Sequence, residues 1–193
     1  MSQADIDAFV DSAYHEALMP EGVKAAVARG IPVNGRDSYS ITALHHAVTA
    51  KHCDVVVALL AAGADANVKD DFGATSVWWA AYDSTADILQ LLIDGGGSVN
   101  EARKYGETPL IATVSKNNNG DAAARLQVLL AYPELDLDAA YEGKTAEEWA
   151  VSNGLSQLAV AIAEERARRQ RWSALRAAWV AATIVPTKAL CIA

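Results

Sequence analysis

Short apolar stretches at helical spacing alternate with polar turns along most of the chain. The clearest stretch holds Val55, Val56, Leu59 and Leu60, four aliphatic side chains that share one face of a helix. Gly63 follows, as is typical of a helix that ends in a left-handed residue. The pattern predicts short amphipathic helices joined by tight turns, and so an all-α fold.

The pattern recurs with a fixed period. Residues of one type return 33 positions apart, among them Asn34, Asn67 and Asn100, and Thr42, Thr75 and Thr108. In the clearest unit, 37–69, we expect Thr42 to cap a first helix through its hydroxyl oxygen and Asp54 to cap a second one. A unit of this size cannot bury its apolar face alone, so we expect neighbouring units to stack around one continuous core.

The motifs of this unit resemble those of the ankyrin repeat. It begins with Thr42-Ala-Leu-His-His-Ala47, continues through the Val55–Leu60 helix and closes with Gly63-Ala-Asp-Ala-Asn67. The resemblance implies an all-α solenoid of about five helix–turn–helix units with β-hairpin-like tips and a C-terminal helical cap. The chain departs from the ankyrin signature at two positions, where Trp78 and Ile111 replace its histidine.

The resemblance extends over about 1–165 and divides the chain. We expect a degenerate capping repeat at 1–36, repeats near 37–69, 70–102, 103–139 and 140–165, and a basic C-terminal helix and tail at 166–193. The unit near 103–139 is longer than the others, because Thr108 and Thr145 are 37 residues apart, not 33. After Leu155 we expect one long helix, or two with a bend near Arg171, and we expect Trp172 to Thr183 to pack back on the last repeat.

Composition favours a soluble protein of the cytoplasm, with the nucleus also possible. Hydrophobic residues make up 52%, which is enough for a core. Cys53 and Cys191 are too far apart to indicate a disulfide framework. The acidic segment Met1 to Asp11 does not resemble a signal peptide, and no run of 18 apolar residues predicts a membrane span.

Charge is distributed unevenly along the chain. All 24 acidic residues lie at or before Glu165, together with ten Lys and Arg, so residues 1–165 carry 10 − 24 = −14, and residues 166–193 carry the other six positive charges. An acidic body is a poor nucleic-acid groove. We favour a capping role for the Arg166–Arg176 helix, with its Trp172; contact with a membrane surface or RNA is the alternative.

In ankyrin stacks the hairpin tips and the inner face of the first helices bind partner proteins, and the resemblance carries this role over by position. The candidate partner-binding residues are Tyr39, Ile41, Asp71, Phe72, Tyr82, Asp83, Lys104, Tyr105, Glu107, Lys116 and Tyr141. Tyr39, Phe72 and Tyr105 occupy the same place in three successive tips. Aromatic side chains offer a large contact area at low entropic cost, so they favour a binding surface. The alternative is that each ring packs on the neighbouring tip and stiffens the array.

Two other groups of residues are assigned to structure. His45, His46, His52 and Cys53 are close in sequence, but a zinc site needs three or four converging ligands, so we expect no metal there. Trp78 and Trp79 are expected mainly in the core, with Trp78 partly exposed toward the inner face.

No catalytic constellation, phosphate-binding loop or cofactor motif is recognisable, so we expect a protein that is not an enzyme and holds no cofactor. The expected function is recognition of another protein, as an adaptor, an assembly chaperone or an inhibitor. The alternative is a permanent subunit of a larger complex, and an enzyme ranks a distant third.

Overall fold

A computed structural model describes residues 2–15, 19–115 and 121–184, the last four of them by their backbone only. Lys116 and Cys191 lie outside the described residues.

Short helices follow one another in pairs, as the period predicts. Their bounds in chain order are α1 Gln3–Ser12, α2 Pro20–Ala28, α3 Ala43–Thr49, α4 Cys53–Ala61, α5 Ser76–Asp83, α6 Ala86–Asp94, α7 Pro109–Ser115, α8 Ala122–Leu130, α9 Ala146–Ser152 and α10 Ser156–Ile184. A short 3₁₀ turn, Lys104–Gly106, precedes α7. Two two-residue strands, β1 Ala140–Tyr141 and β2 Lys144–Thr145, form an antiparallel hairpin before α9.

The helix pairs stack into two rows. The first row runs α1, α3, α5, α7, α9 and the second runs α2, α4, α6, α8, α10, with each helix contacting the next in its row. Aliphatic side chains of both rows meet in one core, among them the fully buried Leu44, Leu59, Leu92, Leu110 and Leu129. The fold is therefore the all-α repeat solenoid that the sequence predicts.

Serine caps α1, and threonine caps start the other first-row helices. The Thr42 hydroxyl accepts a hydrogen bond from the backbone N–H of His45, and Thr75 and Thr145 do the same for α5 and α9. Gly63 has a positive φ of 89°, as expected where α4 ends. The assignment of Asp54 as a cap was wrong: α4 begins at Cys53, so Asp54 lies inside its first turn, where its charge still favours the helix dipole.

An asparagine at the end of each of the first three units joins it to the next. Backbone N–H groups of Asp65, Ser98 and Asp136 donate to the side-chain oxygens of Asn34, Asn67 and Asn100 over 2.9, 2.8 and 2.8 Å. Each amide nitrogen in turn donates to a backbone carbonyl of that following loop. We call these contacts the asparagine stitches. The same pair of contacts recurs at all three positions, as stacked units of similar shape require.

The C-terminal helix departs from our expectation. It is one continuous helix of 29 residues, and the part from Trp172 to Val180 does not pack back, because residues 171–180 are all exposed. At about 1.5 Å per residue α10 is roughly 44 Å long, whereas its neighbour α8, with 9 residues, spans roughly 14 Å. Since no Gly or Pro lies between Ser156 and Ile184, nothing in the sequence bends the helix toward the repeats.

Arg166 and Arg169 fix the near half of α10. Arg166 forms ion pairs with Asp138 and Glu147, while Arg169 donates to the carbonyls of Leu130, Tyr132, Pro133 and Leu135. Leu158 and Ile162, one helical turn apart, are buried on the same side of the helix. These contacts bind the half up to Arg169 to the unit at 103–139 and to α9.

No helix in the described part of the chain is long and apolar enough to cross a membrane.

Candidate functional site

The hairpin tips share one backbone design. In the first two, the Oδ1 of Asp37 and of Asp70 each accepts two backbone N–H groups at 2.8–2.9 Å. The backbone N–H of Lys104 donates to the Phe72 carbonyl over 3.0 Å, and that of Asp71 donates to the Tyr39 carbonyl over 3.4 Å. Each tip is thus closed by its own hydrogen bonds and linked to the next, which places successive tips at a regular spacing.

Three aromatic side chains project from these linked tips. Tyr39 is 67% exposed, Phe72 is 62% exposed and Tyr105 is 90% exposed. We call them the aromatic ladder. Among the ring contacts between described residues, none involves these three side chains. The exposure argues against the alternative that each ring packs on the neighbouring tip.

Tyr105 has an unusual backbone conformation. Its φ of 72° and ψ of 7° lie in the left-handed region, where Gly is favoured and an aromatic residue is rare. A conformation of this kind costs on the order of 1 kcal/mol, and the exposed ring gains no burial in return. The stability of the free protein therefore does not account for a tyrosine here.

Behind the tips, a second aromatic group lies on the first-row helix α5. Trp78 is buried and stacks on Tyr82, with ring centroids 5.1 Å apart and an interplanar angle of 16°. The Arg103 guanidinium lies 4.4 Å from the centroid of the Trp78 ring. Arg103 also forms an ion pair with Glu107. We call these four residues the inner cluster, and they join α5 to the following tip.

The inner cluster corrects two expectations. Trp78 was expected to be partly exposed, but it is 1% exposed because Tyr82 and Arg103 cover it. Glu107 was expected on the binding surface, but it is 2% exposed, since Arg103 holds one side of its carboxylate and the Ser115 hydroxyl donates to the other over 3.1 Å. Glu107 thus holds Arg103 in place and is not a surface contact.

The other predicted residues lie in three environments. Asp71 and Lys104 are exposed at the tips beside the aromatic ladder, whereas Ile41 is half-buried. Tyr82 and Asp83 are half-buried on α5, and the Asp83 carboxylate forms an ion pair with Lys51 at 3.5 Å.

Tyr141, in the last hairpin, stacks on Trp149 with ring centroids 6.0 Å apart. Trp149 also donates its indole N–H to the Tyr141 carbonyl, and Trp79 likewise donates to Asp70 of its own tip. Trp79 and Trp149 therefore have the same role in their units: each indole joins a tip to the first-row helix that follows it. Lys116 lies outside the described residues.

Sequence reasoning missed Arg103. It stands 33 residues after Asp70 and 66 after Asp37, at the place where the earlier tips have the carboxylate that closes the turn. The exchange of an acidic for a basic residue at a repeated position, with Glu107 four residues later, was a signal for a different contact there. The signal needed the repeats to be compared column by column.

The histidines serve local structure. His45 Nδ1 accepts the Thr42 backbone N–H over 3.2 Å, and burial lowers the pKa of His45 to about 4. Burial also lowers the pKa of His46, while Asp37 at 3.7 Å acts in the opposite direction. Among the described residues, no group of three or more His, Cys, Asp or Glu side chains is arranged to hold a metal ion.

Comparison with known proteins identifies the repeated unit. A family model described as "Ankyrin repeats (3 copies)" matches residues 50–127 and 77–170, which together are more than half of the chain. No curated protein matches this chain. The chain therefore belongs to the ankyrin-repeat family, whose members are generally protein–protein interaction modules and typically not enzymes.

Proposed function

We propose that this protein binds another protein along the face formed by its hairpin tips and first-row helices, as an adaptor, an assembly chaperone or an inhibitor. The observation that carries the proposal is the aromatic ladder: three large rings, 62–90% exposed, on tips that are linked by backbone hydrogen bonds. Rings held on a rigid frame give up little entropy on binding, so they contribute strongly to affinity.

The inner cluster supports the same face. Trp78 contacts both the Tyr82 ring and the Arg103 guanidinium, and Glu107 pairs with Arg103, so these side chains are held in place before any partner arrives. Tyr and Arg are both enriched at the energetic centres of protein interfaces. We propose Tyr82 and Arg103 as the contacts nearest the helices, with Phe72 and Tyr105 as the contacts at the tips.

A permanent place in a larger complex is the alternative form of the same function. The two forms differ in how the native protein behaves on size-exclusion chromatography. A regulator elutes at least partly as the free chain, whereas an integral subunit elutes with its complex.

The test is an affinity measurement with alanine variants. A partner identified by affinity purification and mass spectrometry is titrated by calorimetry against the full chain. We expect Phe72→Ala and Tyr105→Ala each to weaken binding by about 1–3 kcal/mol, because each removes an exposed ring at the centre of the face.

Val57→Ala is the matched control. Val57 is also an exposed apolar side chain, at 47%, but it lies on the second-row helix α4, away from the tips. Its removal should leave the affinity unchanged. Unchanged affinity in both Phe72→Ala and Tyr105→Ala would refute the proposed face.

A further inference from the structure

The far half of α10 carries an apolar stripe that the proposed function does not use. Trp172, Leu175 and Trp179 are 69%, 62% and 67% exposed. Their i, i+3, i+7 spacing places them on one side of the helix, within about 60° of arc at 100° per residue. We call them the tryptophan stripe. The stripe is turned roughly a quarter of a revolution from the side on which Leu158 and Ile162 are buried, so the body of the protein leaves it accessible.

Positive charge borders this stripe. Arg171 and Arg176 are exposed and, at 100° per residue, lie about 70° to either side of the centre of the stripe. No acidic residue follows Glu165 in the chain. The near arginines, Arg166 and Arg169, are already bound to the unit at 103–139. The helix therefore presents large apolar rings flanked by cations and no anion.

This chemistry discriminates between possible occupants. In a pair of α10 helices from two copies, the flanking arginines of both would meet, and neither far half offers a carboxylate to balance them. An anionic lipid surface supplies the negative charge and also an apolar layer. Trp suits the boundary between headgroups and acyl chains, and Arg can extend from that boundary to the phosphates.

Distance protects this contact from the acidic body. Along the helix axis, Trp172 lies about 10 Å and Trp179 about 21 Å beyond Glu165, the last acidic residue, whereas charges are screened within about 8 Å at physiological ionic strength. The net charge of −14 on residues 1–165 therefore acts weakly on a membrane that touches the far half.

We propose that the far half of α10, through the tryptophan stripe and its two flanking arginines, binds an anionic phospholipid surface. The helix lies in the plane of the surface with Trp172, Leu175 and Trp179 at the acyl boundary. The repeats stay outside, with the tip face available to a protein partner.

Vesicle sedimentation with the full chain tests this proposal. The wild-type protein should sediment with vesicles of equimolar phosphatidylcholine and phosphatidylserine, should bind pure phosphatidylcholine vesicles much less, and should be released by added salt. The double variant Trp172→Ser/Leu175→Ser should lower the partition coefficient at least about tenfold, because its apolar contact is lost. The pair Arg171→Gln/Arg176→Gln should lower it about fivefold for each arginine.

Matched variants elsewhere separate the stripe from general surface effects. Val57→Ser/Val160→Ser removes two exposed apolar side chains, and Lys24→Gln/Arg29→Gln removes two exposed cations, all outside the stripe. Both should bind vesicles like the wild type. Circular dichroism of each variant checks that the helices remain.

Three results would overturn the proposal. The first is a wild-type chain that stays in solution with anionic vesicles. The second is a Trp172→Ser/Leu175→Ser variant that binds them as well as the wild type. The third is self-association of the wild type in analytical ultracentrifugation that this variant abolishes, without vesicle binding, because the stripe would then be a contact between copies.

Discussion

At the residue scale, the side chain at one repeated position determines which local contacts its unit makes. His45, Trp78, Ile111 and Glu148 each stand three residues after the threonine that precedes a first-row helix. The side chains of His45 and Glu148 accept a hydrogen bond from the backbone N–H of that threonine. Trp78 instead contacts the Tyr82 ring and the Arg103 guanidinium, and Ile111 is buried in the core. The position in the unit is the same, so the differences in local contacts between units arise from such substitutions.

His45 makes the stability of the fold depend on pH. Its pKa in the folded chain, about 4, is below the value of 6.5 for an unperturbed histidine. Between these values the unfolded chain binds a proton that the folded chain does not, so the stabilisation is present above pH 6.5 and is lost as pH falls. In urea unfolding, the difference between wild type and His45→Gln should shrink by about 2 kcal/mol from pH 7.5 to pH 5.

Thr75→Ala is the control for this measurement, because it removes the equivalent cap of the next unit without removing a titratable group. Its difference from wild type should be the same at both pH values. An equally constant difference for His45→Gln would show that the buried imidazole is not the cause.

At the scale of elements, α10 combines two halves with different roles. Arg169 donates hydrogen bonds to the carbonyls at the end of α8 and in the following loop. These carbonyls have no donor from a further turn of α8, because the helix ends there. The next residue toward the N-terminus, Arg168, has a side chain that is 59% exposed and contacts only Glu165 among the ion pairs of the described chain. The two adjacent arginines therefore differ in how many contacts they make with the rest of the protein.

Arg169→Gln should therefore lower the free energy of unfolding by about 2 kcal/mol, because several partly buried carbonyls lose a charged donor. Arg168→Gln, on the same helix, should change it by less than about 0.5 kcal/mol. Denaturant unfolding of the two variants beside the wild type decides the point. Equal effects would mean that the near half of α10 is held mainly by Leu158 and Ile162.

The sequence predicted the structural features that the units share, but it did not predict the contacts that occur in one unit alone. The helix pairs, the Thr42 cap and the Gly63 turn follow from the repeated pattern, and the tip positions of Tyr39 and Phe72 follow from the resemblance to ankyrin repeats. The burial of Trp78 and Glu107 could not be derived, because both are covered by Arg103, which replaces the aspartate of the earlier tips.

The orientation of α10 was missed for a geometric reason. Apolar residues at helical spacing predicted a packed helix, but the helix continues past the end of α8. The length of the neighbouring helix, and not the pattern of α10 itself, decides how much of α10 can be buried.

At the scale of the whole molecule, cohesion depends on contacts between adjacent units. The asparagine stitches join one side of each unit to the next, and ion pairs such as Lys51–Asp83 and Lys69–Glu101 join neighbouring units as well. Stability in such an array is a sum of units and of interfaces between neighbours.

Asn67→Ala removes one stitch from the middle of the array. We expect a loss of about 1–2 kcal/mol in the free energy of unfolding, since the backbone N–H of Ser98 and the carbonyl of Gly96 both lose a partner. Gln157→Ala, which removes an exposed amide side chain from α10, should be nearly neutral. A neutral Asn67→Ala in the same urea titration would assign the cohesion to the apolar core alone.

The regular stitches also make the length of this protein adjustable. The Asn67 and Asn100 amides each meet the loop of the following unit, so the segment 70–102 carries both halves of one joint: the loop that receives Asn67, and Asn100. A second copy of that segment, spliced in after residue 102, would therefore form a stitch on both sides. Duplication of one stretch of coding sequence would lengthen the array with its stitches intact, and contacts specific to one unit, such as the Arg103 cover of Trp78, would be left to adapt.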